Sequence, residues 1–133
     1  MIVVDTNILA YLYLPTGFSA QAEQLLLKHP GWIAPVLWRS EFRNVLALYL
    51  RRKMLTLEQA YDIQTEAEAL LAGHDYDVPS LHVLRLIESS DCSAYDCEFV
   101  ALAQMHSTIL VTADKKILRE FPDVARSLAN AMA

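Results

Sequence analysis

The chain opens on three consecutive apolar, β-branched positions, Ile2-Val3-Val4, and Asp5 stops the run. A short stretch without polar alternation predicts a strand buried on both faces, as in a parallel sheet. Helical periodicity follows through about Leu27, until Pro30-Gly31 breaks it. Trp32 to Ala34 predicts a second strand. Pro35 sits where the first turn of a helix tolerates it, and that helix runs to about Lys53. Thr56-Leu57-Glu58-Gln59 reads as a capping box opening a helix to about Leu71, which Gly73 ends. Tyr76 to Val78 predicts a third strand, and Pro79-Ser80 starts a helix to about Ser89. Ser93 caps another, to about His106. Thr108 to Thr112 is the clearest strand after the first, Lys115 to Glu120 a short helix, and Val124 to Leu128 a weak last strand.

Short apolar strands alternating with helices imply parallel crossovers and helices on both sheet faces. The expected fold is therefore α/β: a three-layer α/β/α sandwich around a central parallel sheet of four or five short strands. No repeat, low-complexity segment or composition shift marks a boundary, so residues 1–133 are read as one domain. A hydrophobic fraction of 54% supplies enough apolar surface for a compact core, and 3 Gly with 5 Pro leave little room for long linkers. The net charge of −5 argues against a broad basic surface for nucleic acid, though not against a local contact. Cys92 and Cys97 make neither a disulfide framework nor a zinc site, which fits free thiols in a reducing compartment. The apolar stretch Ile8 to Leu14 lacks preceding basic residues and is too short to span a bilayer. The expectation is a soluble, cytoplasmic protein.

Ligands in such folds bind beyond the carboxyl ends of the strands, where strand order switches. Asp5 follows the first strand and Asp114 follows Thr108 to Thr112, so both stand at that edge. Glu41 shares a helix face with Leu37, Trp38, Val45 and Leu48, and Asp96 with Phe99, Val100 and Ala103. A carboxylate aimed at apolar neighbours is costly unless it is paired, hydrogen-bonded or metal-bound. No cation lies at helical spacing beside Glu41; Arg39 and Arg43 fall on roughly the opposite face. Converging acids repel one another, and a divalent cation such as Mg2+ or Mn2+, which takes oxygen ligands and keeps several waters, resolves the conflict. Each acid also has a plainer reading. Asp5 and Asp114 can cap the helices that follow them, Asp96 can pair with Ser93 in a capping box, and Glu41 can be a buried acid satisfied by backbone or water.

At these residues the chain resembles the PIN-domain nucleases, in particular the VapC-type toxins. The resemblance lies in Asp5-Thr6-Asn7 after the first strand, Glu41 within Arg39-Ser40-Glu41-Phe42, Ser93-Ala94-Tyr95-Asp96 before Phe99-Val100-Ala101-Leu102-Ala103, and Thr112-Ala113-Asp114-Lys115-Lys116. It extends from Met1 to about Leu128. It implies a Mg2+ or Mn2+ site on Asp5, Glu41, Asp96 and Asp114, cleavage of RNA phosphodiester bonds, a homodimer, and neutralisation by a small cognate antitoxin. Thr6, Asn7 and Thr112 are expected to orient those ligands, and Arg39, Lys115 and Lys116 to meet RNA phosphates. Asp91 is assigned to a loop or cap. Trp38 or Tyr11-Leu12-Tyr13 are the candidates for a dimer contact. Three alternatives compete: a PIN domain that only binds RNA or a partner, an aspartyl-nucleophile phosphatase, and a receiver-like phosphoacceptor module. The phosphatase pattern wants an acid where Asn7 stands, and the receiver pattern wants an acidic pair where Asp5 stands alone.

Overall fold

The computed structural model describes residues 1–132. Strand β1, Ile2–Val4, is buried at every position and lies at the centre of a five-stranded parallel sheet. Helix α1 spans Thr6–Tyr13 and helix α2 spans Ser19–Lys28. The single helical stretch expected here is thus two helices. Pro15 lacks an N–H and disfavours helical backbone at Leu14, which is extended with ψ 150°. The Ser19 hydroxyl donates to the Leu14 carbonyl at 2.9 Å and holds the corner.

Strand β2, Trp32–Pro35, includes the proline expected in a helical turn. Pro35 ends the strand, opposite the point where β1 gives way to α1, so its missing N–H costs the ladder little. Helix α3, Trp38–Arg51, then packs against α4, Leu57–Leu70, whose Thr56/Gln59 capping box forms as its sequence demands. Strand β3 is Asp75–Tyr76 rather than Tyr76 to Val78. Helix α5, Ser80–Glu88, leads to α6, Ala94–Met105, which is buried over Phe99 to Ala103 and lies against β1 and β2. Strand β4, Leu110–Val111, and helix α7, Lys115–Glu120, follow.

Strand β5 is Ala125–Arg126, and the chain then turns into a helix the sequence pattern did not suggest, α8, Leu128–Met132. Ser127 starts it by accepting the Asn130 N–H at 3.2 Å, and α8 docks on α2. The interior is one continuous apolar cluster running from β1 through α3 and α6 to α8. Trp38 is fully buried in it, packing edge-on against Phe42, so it cannot form the dimer contact expected of it. Tyr11, Leu12 and Tyr13 are partly spent on the same core. No helix among the described residues is long and apolar enough to cross a membrane.

The strand order β3-β2-β1-β4-β5 decides where a ligand goes. From β1 the chain builds outward through β2 and β3, then returns to the other side of β1 for β4 and β5. Strand order therefore reverses between β1 and β4. Their carboxyl ends frame the crevice in which open parallel sheets hold ligands.

Candidate active site

Asp5 and Thr112 stand side by side across that crevice. The Asp5 N–H donates to the Val111 carbonyl at 2.9 Å, which continues the β1–β4 pairing past the end of β1. The Thr112 hydroxyl, fully buried, donates to Asp5 Oδ2 at 2.6 Å and accepts the Asp114 N–H at 3.0 Å. One hydroxyl thus ties the two acids of the sheet edge together. Asn7 adds a second tie: its Oδ1 accepts the Ala113 N–H at 3.2 Å, and its Nδ2 lies 3.4 Å from Asp5 Oδ2.

Both acids are also helix caps. Asp5 Oδ1 accepts the Thr6 N–H at 2.8 Å at the start of α1. Asp114 Oδ1 accepts the N–H groups of Lys116 at 2.8 Å and Ile117 at 3.1 Å. Both Asp114 bonds fall on one oxygen, which leaves Oδ2 turned to other uses. Glu41 enters from the first turn of α3, where Thr6 donates its hydroxyl to Oε1 at 2.8 Å. Asp96 enters from the first turn of α6, whose N-cap Ser93 accepts the Asp96 N–H at 3.1 Å. Glu41 is half-buried rather than aimed into the core. The buried face of α3 is Trp38, Phe42 and Leu46, while Leu48, one of its expected face partners, is largely exposed.

The four carboxylates, with Thr6, Asn7, Asn44 and Val45, line one solvent-open cavity of about 300 Å3. Burial dominates its electrostatics. It pushes the Asp5 carboxyl up to about 6, against the pull of hydrogen bonds from Thr112 and Thr6, and the charges of Asp96 and Asp114 add to the rise. Glu41 is raised by burial, then by Asp5, Asp96 and Glu98, while the Thr6 bond opposes. Asp96 is raised by burial and by Asp114, and pulled back by Ser93 and by the Lys116 charge. Three acids around one cavity are held above their ordinary values, chiefly by burial and further by the charge of neighbouring carboxylates. A cation placed among them offsets that charge.

The donor set is oxygen throughout, with no thiolate or imidazole, which suits a hard divalent ion. Among the described residues no three acidic, histidine or cysteine side chains stand close enough to grip an ion by direct contact alone. The cavity's size reconciles that spacing with the donor set. Magnesium dehydrates reluctantly and keeps several waters, so it needs only one or two direct carboxylates, with others reached through water.

The basic residues expected to meet RNA are not part of this lining. Arg39 Nε pairs with Asp75 Oδ2 at 3.0 Å, an oxygen that also accepts the Trp38 indole N–H at 3.2 Å. Lys115 and Lys116 are exposed at the start of α7 beside Asp114, and Lys116 Nζ lies 3.5 Å from Asp91 Oδ2. The Asp91 backbone N–H donates to Glu120 at 2.8 Å, as befits a loop residue. Cys92 and Cys97 are free and buried, and burial raises the Cys92 thiol to about 11, which makes it inert. Two polar residues near the site escaped the sequence reading. Asn44 follows Glu41 by three positions, so helical spacing alone would have placed it on the same wall. Glu98 acts on Glu41 from the groove between α5 and α6, and no spacing rule links those positions.

A family model described as PIN domain matches residues 2–125. Ribonuclease VapC3 of Pyrobaculum aerophilum is 28% identical over 124 residues, covering 91% of this chain and 95% of that protein. Among solved structures, FitAcB from Neisseria gonorrhoeae superposes with a TM-score of 0.72 at 19% identity, covering 94% of this chain and 95% of that one. PAE2754 from Pyrobaculum aerophilum superposes with a TM-score of 0.73, also at 19% identity, covering 98% and 92%. These two likenesses bear on the fold, and the central parallel sheet flanked by helices is common ground.

Proposed function

The chain belongs to the PIN-domain family, and on that premise we propose that it is a metal-dependent endoribonuclease restrained by a cognate antitoxin protein. The observation that carries the reading is the lining of one cavity at the β1–β4 switch point by four carboxylates from four separate elements. Its likeness to ribonuclease VapC3 supplies the substrate class. Asp5, Glu41, Asp96 and Asp114 would hold Mg2+ or Mn2+, which would supply a water of lowered pKa and positive charge to offset that of the phosphate.

The chain's own residues do the rest. Thr112 and the Thr6 N–H fix the Asp5 carboxylate, Thr6 fixes Glu41 through its hydroxyl, and Asn7 fastens α1 to the loop that carries Asp114. Glu41 Oε2 and the Asp96 carboxylate can accept a proton from the attacking water. Lys115 and Lys116 meet the phosphates that flank the cleaved bond, which limits RNA contact to one edge of an otherwise acidic protein. The chain acts as one domain and pairs as a homodimer in the cytoplasm.

The test is cleavage of a randomised single-stranded RNA pool by the purified chain, in chelator and in Mg2+ or Mn2+. We expect cleavage only with metal, and loss of cleavage in Glu41→Gln and Asp96→Asn. Wild-type cleavage in chelator, or undiminished cleavage by both variants, would refute the assignment.

A further inference from the structure

The cavity described above is rich in acceptors and poor in donors, yet its proposed substrate carries at each linkage a negative charge shared by two phosphate oxygens, both of them acceptors. Donors at the wall therefore decide how a strand can lie there. Three side chains lining the cavity carry N–H or O–H groups. The Thr6 hydroxyl is spent on Glu41 at 2.8 Å. The Asn7 carboxamide is spent on both sides, on Asp5 and on the Ala113 N–H. Of the three, Asn44 alone is exposed, and its side chain makes no hydrogen bond among the described residues.

Its position is set by α3. Glu41 and Asn44 are one helical turn apart, so the amide stands beside the Glu41 carboxylate on the same wall. It cannot be explained as a helix stabiliser, because asparagine in a helix interior is among the weaker helix formers. Nor is it a cap, since α3 begins six residues earlier, at Trp38. The core does not need it either, because the buried positions of α3 are Trp38, Phe42 and Leu46.

We propose that Asn44 is a substrate-binding residue that donates its Nδ2–H groups to the RNA strand, at a phosphate or ribose oxygen next to the bond being cut. The inference rests on the ribonuclease reading above. An uncharged donor suits this wall, because it serves the phosphate without forming an ion pair with Glu41 or competing with a metal ion for it.

The experiment compares wild type with Asn44→Leu, which keeps the side-chain size and removes the donor, and with Asn44→Gln, which keeps the amide. A randomised single-stranded RNA pool is the substrate, and manganese-dependent thermal melts run alongside. Loss of one such bond should raise KM roughly tenfold with kcat changed less than twofold. Asn44→Gln should recover part of that loss. All three proteins should melt together, with the same shift on adding manganese. The same RNA should bind roughly tenfold more weakly to Glu41→Gln carrying Asn44→Leu than to Glu41→Gln alone. If wild type cleaves and Asn44→Leu matches it in KM, the inference falls while the nuclease reading stands. A changed manganese response in Asn44→Leu places the amide in the ion's shell and also overturns it. If wild type cleaves no RNA with metal, the nuclease reading falls and takes the inference with it.

Discussion

Asp5→Asn should stabilise the metal-free protein, and the gain should appear only as pH rises. The Asp5 carboxyl is 8% exposed and its folded pKa stands at about 6, against an ordinary 3.8. Below 3.8 the acid is protonated whether the chain is folded or not, and it costs nothing. Between 3.8 and about 6 the unfolded chain releases the proton while the folded chain keeps it, so stability declines as pH rises. Above about 6 the folded carboxylate is ionised and the whole penalty is present. The displacement corresponds to about 3 kcal/mol. An amide removes the charge but sacrifices some bonding. Oδ1 can keep the Thr6 N–H, whereas Nδ2 would face Thr112, whose hydroxyl must turn to accept, and the 3.4 Å contact with Asn7 is lost. Taking about 1 kcal/mol for that loss leaves a net gain of about 2 kcal/mol at pH 8. For a chain of this size that is roughly 5–10 °C in Tm. The assay is thermal melting in chelator at pH 4 and pH 8, for both proteins. Equal destabilisation of the variant at both pH values would refute the reasoning, since it would make Asp5 a structural acceptor and nothing more.

Other outcomes follow from the same geometry. Manganese at a hundredfold excess over its dissociation constant should stabilise wild type by about 2.7 kcal/mol and Asp96→Asn much less, read as a Tm difference; equal shifts would remove Asp96 from the ion site. Thr6→Val deletes the hydroxyl that orients Glu41, so kcat should fall roughly tenfold while stability drops by about 1 kcal/mol; unchanged kcat would show that Glu41 needs no positioning. Arg39→Ala breaks the pair with Asp75 and should cost about 1 kcal/mol in urea melts with cleavage unaffected. A tenfold loss of RNA affinity there would return Arg39 to the RNA contact that the sequence alone suggests.

The sheet-edge half of the site was open to sequence reasoning because a parallel strand announces itself. Ile2-Val3-Val4 is apolar at every position, so the first polar residue after it must lie at the carboxyl edge. The same logic reaches Thr112 and Asp114. Glu41 was harder, because a helix face is a stripe with borders. Leu48 belongs to Glu41's stripe by spacing and is nevertheless exposed, which puts Glu41 at the rim of the buried face. The break between α1 and α2 was written in Leu14-Pro15, but apolar periodicity on both sides masked it. The extent of β2 through Pro35 depends on its register with β1 and β3, and α8 on its docking against α2. Neither long-range partner is visible from local pattern.

Capping and ligand roles looked like rivals when the acids were weighed one at a time, but the geometry leaves room for both. A carboxylate has two oxygens and about four acceptor positions, while a helix N-terminus needs one or two of them. Asp114 spends Oδ1 on two N–H groups of α7, which holds the side chain still and leaves Oδ2 outside the cap. Asp5 does the same at α1, with Thr112 taking the second oxygen. At Asp114 the cap alone fixes the carboxylate, while Asp5 adds the Thr112 hydroxyl from the neighbouring strand end. The helix N-terminus also contributes a partial positive charge where the acids crowd, which lowers the cost of holding them ionised. The four acids come from the beginnings of four helices, α1, α3, α6 and α7, directed at one crevice. A cavity built this way draws part of its rigidity from bonds that helix starts must make in any case, so a sequence can carry it with short motifs at widely separated positions.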